Sequence, residues 1–514
     1  KIQRLADHEI PLSFRGPLVG IPAALHMAED LPYWQRFFHS LAIRTVTSET
    51  VKDAVKRGKN LSETEFCAPA TAMYGHVEFL LEKADVVFLP YYLENKNRNS
   101  RRQFCYYTQY LPSIMADRDR QRVLTPLLRY LYSPFHTKME LYRMLKGLGL
   151  SVSIFEVSQA YDKAFDLKRE HSQAFQDLYE QERKSAGDVS VVFLGRPYTV
   201  LNPSANNGIP DIFRKLGVKT FFQDMVPVEA DENHALEPLL TDLHWNYPAA
   251  ILKTAHAVAE TKGVYPVFVT SFKCTPDSFG LRYFKQLMAE RGKPYLILEL
   301  DEHDSSVGYE TRIEAAVRAF RNHARAGEAP KPSDYAPLFF RPSKKLAGKN
   351  LVIPNWDPIT CRFLVSVLKR EGINAYLIDE TPPIISRSLK FNTGQCIPVN
   401  AIAQGFAETV KKHDLDPANT LLWISKANMC NLKLYPNFIA SLFPAYGLEK
   451  AGIYHGEITY IDISVRASMN AYFAHMFGGM IRKMGCKIRP YELEKGATDR
   501  VIEKSVEILE DAFL

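Results

Sequence analysis

The chain has little of three features that mark whole classes of protein. It has only seven cysteines in 514 residues, an odd number that is widely spread. We therefore expect a reducing, cytoplasmic setting rather than a secreted disulfide scaffold. No run of about 18 uninterrupted apolar residues occurs, so no membrane-spanning helix is predicted. The net charge of +6 is dilute over this length and does not by itself indicate a nucleic-acid partner.

Two sequence signals are also missing. The chain opens Lys-Ile-Gln-Arg, with neither an initiator methionine nor a basic-then-apolar leader, so we expect a portion of a longer protein rather than a signal peptide. No Gly-x4-Gly-Lys-[Ser/Thr] phosphate loop occurs either. Any ATP would therefore have to be bound elsewhere.

The composition is that of a globular protein with several cores. Hydrophobic residues make up 46%, aromatic residues 12% and charged residues 24%, and the length is typical of about three domains. Apolar runs that end in proline or glycine alternate with helical spacing, as in 17–22, 84–90 and 189–194. This rhythm predicts an α/β fold with Rossmann-like parallel sheets flanked by helices.

The pattern also predicts domain boundaries. A strand ending in proline at 350–354 begins the opening pattern again, so we interpret the chain as two related α/β modules. The predicted segments are a first cluster-binding subdomain at 1–117, a helical connector at 118–186, a second α/β subdomain at 187–328, a proline- and lysine-rich linker at 329–349, and a second, truncated module at 350–514.

Three of the seven cysteines stand in a Cys-x-Pro motif, at Cys67, Cys274 and Cys396. Prolines occupy 31 of 514 positions, so chance would give well under one such motif. Proline suits the first turn of a helix, and the free amides of a helix N-terminus can stabilise a thiolate. We therefore expect each cysteine at a loop-to-helix junction, with a lowered thiol pKa and the character of a soft metal ligand.

The spacing along the chain adds two further cysteines to the candidate metal ligands. Cys105 follows Cys67 by 38 residues and Cys430 follows Cys396 by 34, with a predicted strand inside each interval. Cys274 and Cys430 both come directly after predicted strands, at the sheet edge where open α/β folds bind ligands. An iron–sulfur site, which needs only thiolates that converge in space, fits these five cysteines best.

Three other interpretations compete with a cluster. Structural zinc sites usually contain a Cys-x2-4-Cys pair, which this sequence lacks. A nucleophilic cysteine would leave the repeated motif unexplained. Free cysteines are most often small core residues, and we keep that interpretation for Cys361, at a helix start, and for Cys486, in a predicted Gly-Cys-Lys turn.

The motifs together resemble the superfamily of 2-hydroxyacyl-CoA dehydratases and activase-related proteins. More narrowly, they are similar to the dehydratase-like part of the large fused activases, over about residues 18–492. The segments that carry the resemblance are Glu65-Phe66-Cys67-Ala68-Pro69, Tyr74-Gly75-His76, Gly195-Arg196-Pro197-Tyr198, Ser271-Phe272-Lys273-Cys274-Thr275-Pro276-Asp277 and Asn392-Thr393-Gly394-Gln395-Cys396-Ile397-Pro398.

The resemblance implies a cofactor and a partner. It implies dehydratase-like modules that each hold [4Fe-4S] cubanes through three separated cysteines. In related double-cubane proteins, a bridging sulfide joins two such cubanes. Cys67, Cys105 and Cys274 match the first trio, and Cys396 and Cys430 match two positions of the second. Electrons would come from an ATP-hydrolysing activator with its own [4Fe-4S] cluster.

The sequence departs from the family pattern at the sixth ligand. Only Cys486 lies downstream of Cys430, and its context does not match the motif. Either the chain ends before that ligand, or Cys486 or Cys361 replaces it, or the second cubane is incomplete.

Other side chains near the motifs have two interpretations each. His76 would donate to a cluster sulfide or substrate, or else pack in a helix start. Arg196 would hold a phosphate or carboxylate of a cofactor or substrate, or else stabilise a turn. For Asp277, a helix cap is favoured over a catalytic base.

Two functions follow from these observations. The first is an ATP-dependent iron–sulfur reductase or 2-hydroxyacyl-CoA dehydratase component that delivers low-potential electrons to a small substrate. The alternative is a non-catalytic electron-relay or docking module for an activase or a partner enzyme. The substrate, the nuclearity of the cluster and the oligomeric state are left open.

Overall fold

The computed structural model describes most of the chain and divides it into two compact units, Lys1–Ala336 and Pro337–Leu514. The described residues are 13–64, 66–97, 100–129, 133–185, 187–202, 205–228, 236, 240, 243–271, 274–300, 306–327, 346, 348–425, 430–456 and 463–514. The predicted linker at 329–349 lies almost entirely outside them, so its boundaries stay a prediction.

The first unit contains two four-stranded parallel sheets, two small two-stranded sheets and the helices around them. Its strands are β1 (Val19–Ile21), β2 (Thr45–Thr47), β3 (Val86–Phe88), β4 (Tyr91–Tyr92), β5 (Glu94–Asn97), β6 (Ser100–Gln103), β7 (Val123–Leu124), β8 (Leu127–Arg129), β9 (Ser190–Gly195), β10 (Lys219–Phe222), β11 (Val264–Ser271) and β12 (Leu296–Leu300). Its helices are α1 (Leu25–Ser40), α2 (Ala54–Ser62), α3 (Ala68–Leu81), α4 (Tyr106–Arg118), α5 (Pro134–Gly147), α6 (Ile154–Lys184), α7 (Pro197–Val200), α8 (Ile209–Lys215), α9 (Asn246–Glu260), α10 (Thr275–Glu290) and α11 (Ser306–Ala326).

The second unit contains one parallel sheet. Its strands are β13 (Asn350–Ile353), β14 (Asn374–Leu377), β15 (Thr420–Ile424) and β16 (Gly452–His455). Its helices are α12 (Pro358–Arg370), α13 (Pro382–Ser388), α14 (Ile397–Lys412), α15 (Tyr435–Ala440), α16 (Val465–Ile488) and α17 (Ala497–Phe513).

The three four-stranded sheets have the same strand order. The orders are β2-β1-β3-β7, β10-β9-β11-β12 and β14-β13-β15-β16, and every neighbouring pair in them is parallel. Numbered within each sheet, this order is 2-1-3-4. The second strand is added on one side of the first strand, and the third and fourth strands are added on the other side. In open α/β sheets with such an order, the crevice at the carboxyl ends of the first and third strands is where ligands bind.

The α/β fold class predicted from the sequence is confirmed, with two differences in detail. The repeat has three copies of one strand order, because the second sheet of the first unit shares it with the other two. Strand β7, which completes the first sheet, falls within the segment 118–186 that we predicted as a helical connector. Two-residue strands give too short an apolar pattern to be seen in the sequence.

Apolar side chains cover both faces of each parallel sheet, as parallel strands require. In the first sheet, Trp34 from α1 packs edge-on against Phe88 of β3, with the ring centroids 5.0 Å apart. Both rings are almost fully buried. Truncating either ring to alanine would cost about 3–5 kcal/mol by the usual measure for core aromatics.

Two glycines fix where α3, and therefore Cys67 at its start, lies against α2. A Cβ on Gly58 of α2 would lie 1.8 Å from the carbonyl oxygen of Thr71, and one on Gly75 of α3 would lie 2.2 Å from that of Ala54. The two helices therefore approach more closely than any larger residue at these positions allows.

No helix in the part of the chain that the structure describes is both long enough and apolar enough to cross a membrane.

Candidate metal centre

Each of the five predicted ligand cysteines immediately precedes a helix. Cys67, Cys105, Cys274 and Cys396 are the N-cap residues of α3, α4, α10 and α14. Cys430 is the N-cap of a 3-10 turn at 431–434. The predicted loop-to-helix junctions are confirmed, because extended backbone at each cysteine gives way to helix and proline occupies the first turn after each Cys-x-Pro.

The common strand order gives the cysteines equivalent places in the three sheets. Cys67 and Cys396 precede the helix between the second and third strands, whereas Cys105, Cys274 and Cys430 lie between the third and fourth. The third strand borders the crevice in every copy. The second sheet has no cysteine at the first of these places, where Trp245 is the N-cap of α9.

In the first unit, the two sheets bring three of these thiols together. Their negative charges, as thiolates, act on the same two phenol groups and help to raise the pKa of Tyr107 and Tyr198. Burial is the larger cause in both tyrosines. Cys67, Cys105 and Cys274, which are 207 residues apart from first to last (274 − 67), therefore form one group in space.

Burial, not the helix N-terminus, dominates the thiol chemistry of this group. It raises the pKa of Cys67 to about 11, although the backbone amide of Ala70 acts to lower it. Burial likewise raises the pKa of Cys274, although the charge of Arg196 and the backbone amide of Asp277 act to lower it. The predicted lowering of the thiol pKa is therefore wrong for these two cysteines, because the loss of hydration outweighs the helix dipole.

A buried ion pair lies beside these thiols. Arg196, at the carboxyl end of β9, binds the carboxylate of Asp277 through Nη2 at 2.8 Å and through Nε at 3.1 Å. Both side chains are at most 4% exposed. Thr270 donates to the second carboxylate oxygen at 2.8 Å, and Nη1 of Arg196 donates to the Tyr198 hydroxyl at 3.1 Å.

This geometry corrects one expectation and specifies another. Cys274, not Asp277, is the N-cap of α10, and the Asp277 carboxylate binds Arg196 rather than capping its helix. Arg196 does hold a carboxylate in two-pronged fashion, but the carboxylate belongs to the protein. The positive charge of Arg196 acts on the thiols instead, because it tends to lower the pKa of both Cys67 and Cys274.

His76 is a buried residue within α3. It follows Cys67 by nine residues, which places it about 13 Å from that cysteine along the helix axis. Its Nδ1 lies 2.7 Å from the Ser48 hydroxyl, which itself accepts from the backbone N–H of Ala23 at 2.9 Å. Burial lowers the pKa of His76 to about 4, so the ring is neutral at pH 7. These contacts are those of a packed histidine.

The second unit brings two of its predicted ligands together. The Tyr435 hydroxyl donates to Sγ of Cys396 at 3.4 Å, and Nδ2 of Asn431 lies 3.8 Å from the same sulfur. Burial raises the pKa of Tyr435, followed by its hydrogen bond to Cys396 and by the charges of Cys396 and Cys430. Cys430 is exposed.

Neither remaining cysteine is among the groups that act on Tyr435. Cys361 is fully buried in α12, with its thiol 3.7 Å from the carbonyl of Pro354, and burial raises its pKa to about 12. Cys486 is exposed and lies within α16. The predicted turn around Cys486 is wrong, because the helix continues through Gly485, which packs against Ile502.

The donor chemistry of the first group can be compared with what a metal requires. In the part of the chain that the structure describes, no three or more His, Cys, Asp or Glu side chains converge as ligands of one metal ion. An iron–sulfur cluster makes a different demand, because its iron atoms each take a separate thiolate. Three thiols that act on the same two phenol groups, with a guanidinium beside them, are a donor set that fits such a cluster.

The phenol groups of both sites were not predicted from the sequence. Tyr198 was quoted as part of a motif without a role, and Tyr107 and Tyr435 were not singled out. The available signal is their place, since Tyr107 follows Cys105 by two residues and Tyr435 follows Cys430 by five. Both lie in the first turns after a candidate ligand cysteine.

The fold and these sites define an α/β protein with cysteine-capped helices at the carboxyl edges of its parallel sheets. Residues 18–226 match the family described as CoA enzyme activase uncharacterised domain (DUF2229). The resemblance to the acyl-CoA dehydratase activase-related superfamily is thereby confirmed, over a stretch that contains Cys67 and Cys105 and ends before Cys274. No curated protein matches the chain.

Proposed function

We propose that the first unit holds an iron–sulfur cluster through Cys67, Cys105 and Cys274. The protein would take low-potential electrons from an ATP-hydrolysing activator and deliver them to a small substrate. The observation that carries this proposal is the grouping of three cysteine-capped helix starts, from two different sheets, around the buried pair of Arg196 and Asp277. The match to an activase-related family supports the activator as partner.

The protein supplies the electrostatics that such a group of thiolates needs. Each thiol stands at the N-terminus of a helix of 13 to 16 residues, whose free amides favour negative charge. Arg196 adds a full positive charge, held in place by Asp277 and Tyr198. When bound, a cluster of this kind supplies one-electron transfer at low potential.

The raised thiol pKa values have a consequence for assembly. Cys67 and Cys274 are protonated at pH 7, and a metal takes them only as thiolates. Assembly at the first unit should therefore release protons and become more favourable as the pH rises.

Cys396 and Cys430 are proposed as ligands in the second unit. Tyr435 and Asn431 direct donors at Cys396, which is the type of contact that raises the potential of a ligated cluster. The two units would then hold metal unequally, because the first provides three grouped thiols and the second provides two.

Iron and sulfide analysis with EPR on anaerobically reconstituted protein tests the proposal. We expect a cluster signal in the wild-type protein and its loss from the first unit in Cys67→Ser, Cys105→Ser and Cys274→Ser. Cys486→Ser is the matched control and should keep the wild-type iron content. A colourless protein, or iron that is unchanged in all three variants, would show the proposal to be wrong.

The same preparation separates an enzyme from an electron relay. If a 2-hydroxyacyl-CoA changes the EPR signal, the substrate reaches the cluster and the protein is a dehydratase or reductase component. If no acyl-CoA changes the signal and the activator still reduces the protein, the relay function is correct.

A further inference from the structure

Helix α14 of the second unit carries a row of polar side chains along one face. The row takes every fourth residue from the cysteine that caps the helix: Cys396, Asn400, Gln404 and Glu408. Side chains spaced by four residues are neighbours on a helix, with their Cβ atoms about 5–6 Å apart. Each member of the row therefore lies within reach of the next one.

Three members of the row have hydrogen-bond partners. Sγ of Cys396 accepts from the Tyr435 hydroxyl at 3.4 Å. Oε1 of Gln404 accepts from the Tyr446 hydroxyl at 3.0 Å, and its Nε2 donates to Glu408 at 2.8 Å. The segment that follows β15 supplies both tyrosines and therefore covers the first two turns of this face.

Asn400 differs from the rest of the row. It is only 1% exposed, yet neither its Oδ1 nor its Nδ2 forms a hydrogen bond with any residue that the structure describes. A buried polar group without a partner is unfavourable, and in this carboxamide both the acceptor and the donor are affected. Side chains of a helix point toward its N-terminus, so this carboxamide is directed toward Cys396.

The first unit has bonded side chains at the same place, four residues after a candidate ligand cysteine. Gln109 follows Cys105 and donates to a backbone carbonyl at 2.6 Å. Ser278 follows Cys274 and donates to a backbone carbonyl at 2.7 Å. The carboxamide of Asn400 makes neither type of bond, so a helix start of this kind does not by itself leave a polar group without a partner.

We propose that Asn400 is the third protein ligand of the iron–sulfur centre in the second unit, a role that rests on the proposed function of Cys396 and Cys430. Oδ1 is an acceptor that needs an electron-poor partner, and Nδ2 is a donor that needs an acceptor. Oδ1 would share a lone pair with iron while Nδ2 donates to a neighbouring sulfur. The carboxamide stays neutral, and no proton or electron is transferred.

This role accounts for the ligand that the sequence pattern lacks. Neither Cys361, which is fully buried in α12, nor Cys486, which is exposed on α16, is among the groups that act on Tyr435 beside Cys396. Asn400 lies one helical turn from Cys396. Rieske centres show that a residue other than cysteine can hold one iron of a cluster, and that the potential is then higher.

Iron analysis and Mössbauer spectroscopy on the full chain test the proposal. Cys67→Ser with Cys274→Ser removes thiols of the first unit, so that the remaining iron reports on the second. In this background, Asn400→Leu should lower the affinity for iron about tenfold or more. Asn400→Asp keeps an oxygen at the same place and should retain the iron. Asn400→Cys should also retain it, with one more thiolate-type iron in the spectrum and a more negative reduction potential.

The stability of the metal-free protein separates a ligand from a structural residue. Asn400→Leu removes two buried groups that have no partner, so the temperature of thermal unfolding should not fall. Gln404→Leu, one turn further along the same face, is the matched control. It breaks the bonds to Tyr446 and Glu408 and should lower that temperature while the iron content stays the same.

Two results would overturn the role of Asn400 alone. One is iron that Cys396→Ser removes and Asn400→Leu does not. The other is loss of iron in Asn400→Asp, which would show that the N–H groups matter and Oδ1 does not. A background protein whose iron content Cys396→Ser leaves unchanged would instead show that the proposed thiol ligands are wrong, and the role of Asn400 with them.

Discussion

In the first unit, the thiols of Cys67, Cys105 and Cys274 lie beside a buried guanidinium, whereas in the second unit Cys396 receives its donors from a phenol and an amide. The strand order is the same in both units, so the order alone does not decide how a thiol is stabilised. The difference comes from the second sheet of the first unit, which supplies both Cys274 and Arg196.

This comparison separates the position of a cysteine from its chemistry. A cysteine before a helix at the sheet edge is found in all three sheets. Among the residues that the structure describes, a group of thiols with a permanent positive charge beside it arises where two sheets contribute to one site.

Removing the partner of the buried arginine should have the largest effect. Asp277→Ala would leave the Arg196 charge buried and unpaired, and we expect the free energy of unfolding to fall by about 3–5 kcal/mol. Denaturant unfolding, monitored by hydrogen exchange at the amides of β9 and β11, measures this loss of stability. In the second unit, Glu408→Ala removes the exposed pair with Arg387 and should cost about 0–1 kcal/mol. Equal effects of the two variants would contradict the comparison.

Acid should destabilise the first unit through His76. The pKa of His76 is about 4 in the folded protein and about 6.5 when unfolded, so the unfolded state binds the extra proton between these values. Stability present above pH 6.5 should be lost as the pH falls toward 4, by about 2–3 kcal/mol. Hydrogen exchange at β1 and β3 measures this loss.

His76→Gln serves as the control for that pH dependence. It removes the titrating group and should flatten the change between pH 6.5 and 4, whatever its effect on absolute stability. The amides of β13 in the second unit provide an internal reference. If His76→Gln keeps the wild-type slope, another group causes the acid sensitivity.

Thiol alkylation should separate the buried and exposed cysteines in metal-free protein. Cys67, with a pKa of about 11, and Cys274, whose pKa is also raised by burial, carry little thiolate at pH 8. We expect iodoacetamide to modify them roughly 10- to 100-fold more slowly than the exposed Cys430 and Cys486. Peptide mass spectrometry over time gives the rates. Similar rates at all four positions would show that burial does not control this chemistry.

The smallest difference in stability should be between the variants that remove the hydroxyls of Tyr198 and Tyr435. Tyr198→Phe leaves a buried guanidinium N–H without its acceptor and should cost about 2 kcal/mol, whereas Tyr435→Phe removes a donor to sulfur and should cost about 1 kcal/mol. Denaturant unfolding measures both. Tyr446→Phe, which loses a neutral bond to Gln404, is the control in the second unit. A larger cost for Tyr435→Phe than for Tyr198→Phe would reverse the comparison.

Much of the fold could be predicted from local sequence patterns. The apolar run at 189–194 became β9 almost residue for residue, because a buried parallel strand is a continuous apolar run. The three-residue strand β2 and the two-residue strand β7 were missed. Such strands are defined by their pairing in the sheet, which leaves no periodicity in the sequence.

The candidate site was predictable in its parts but not in its assembly. Cys-x-Pro located three helix starts, because proline fixes the backbone of a first turn whatever surrounds it. The sequence did not reveal that Asp277 binds Arg196, 81 residues away. Nor did it reveal that Asp357 pairs with Arg482 of α16.

The sequence by itself therefore determined the class of fold, the helix starts and the residue type of the donors, since each depends on neighbours within a few positions. Tertiary structure decided which thiols meet, which charge lies beside them and in which direction their pKa values shift. Burial is the physical reason. The amides of a helix N-terminus favour a thiolate in any setting, but the loss of water around Cys67 and Cys274 depends on how the two sheets of the first unit pack, and it outweighs the local effect.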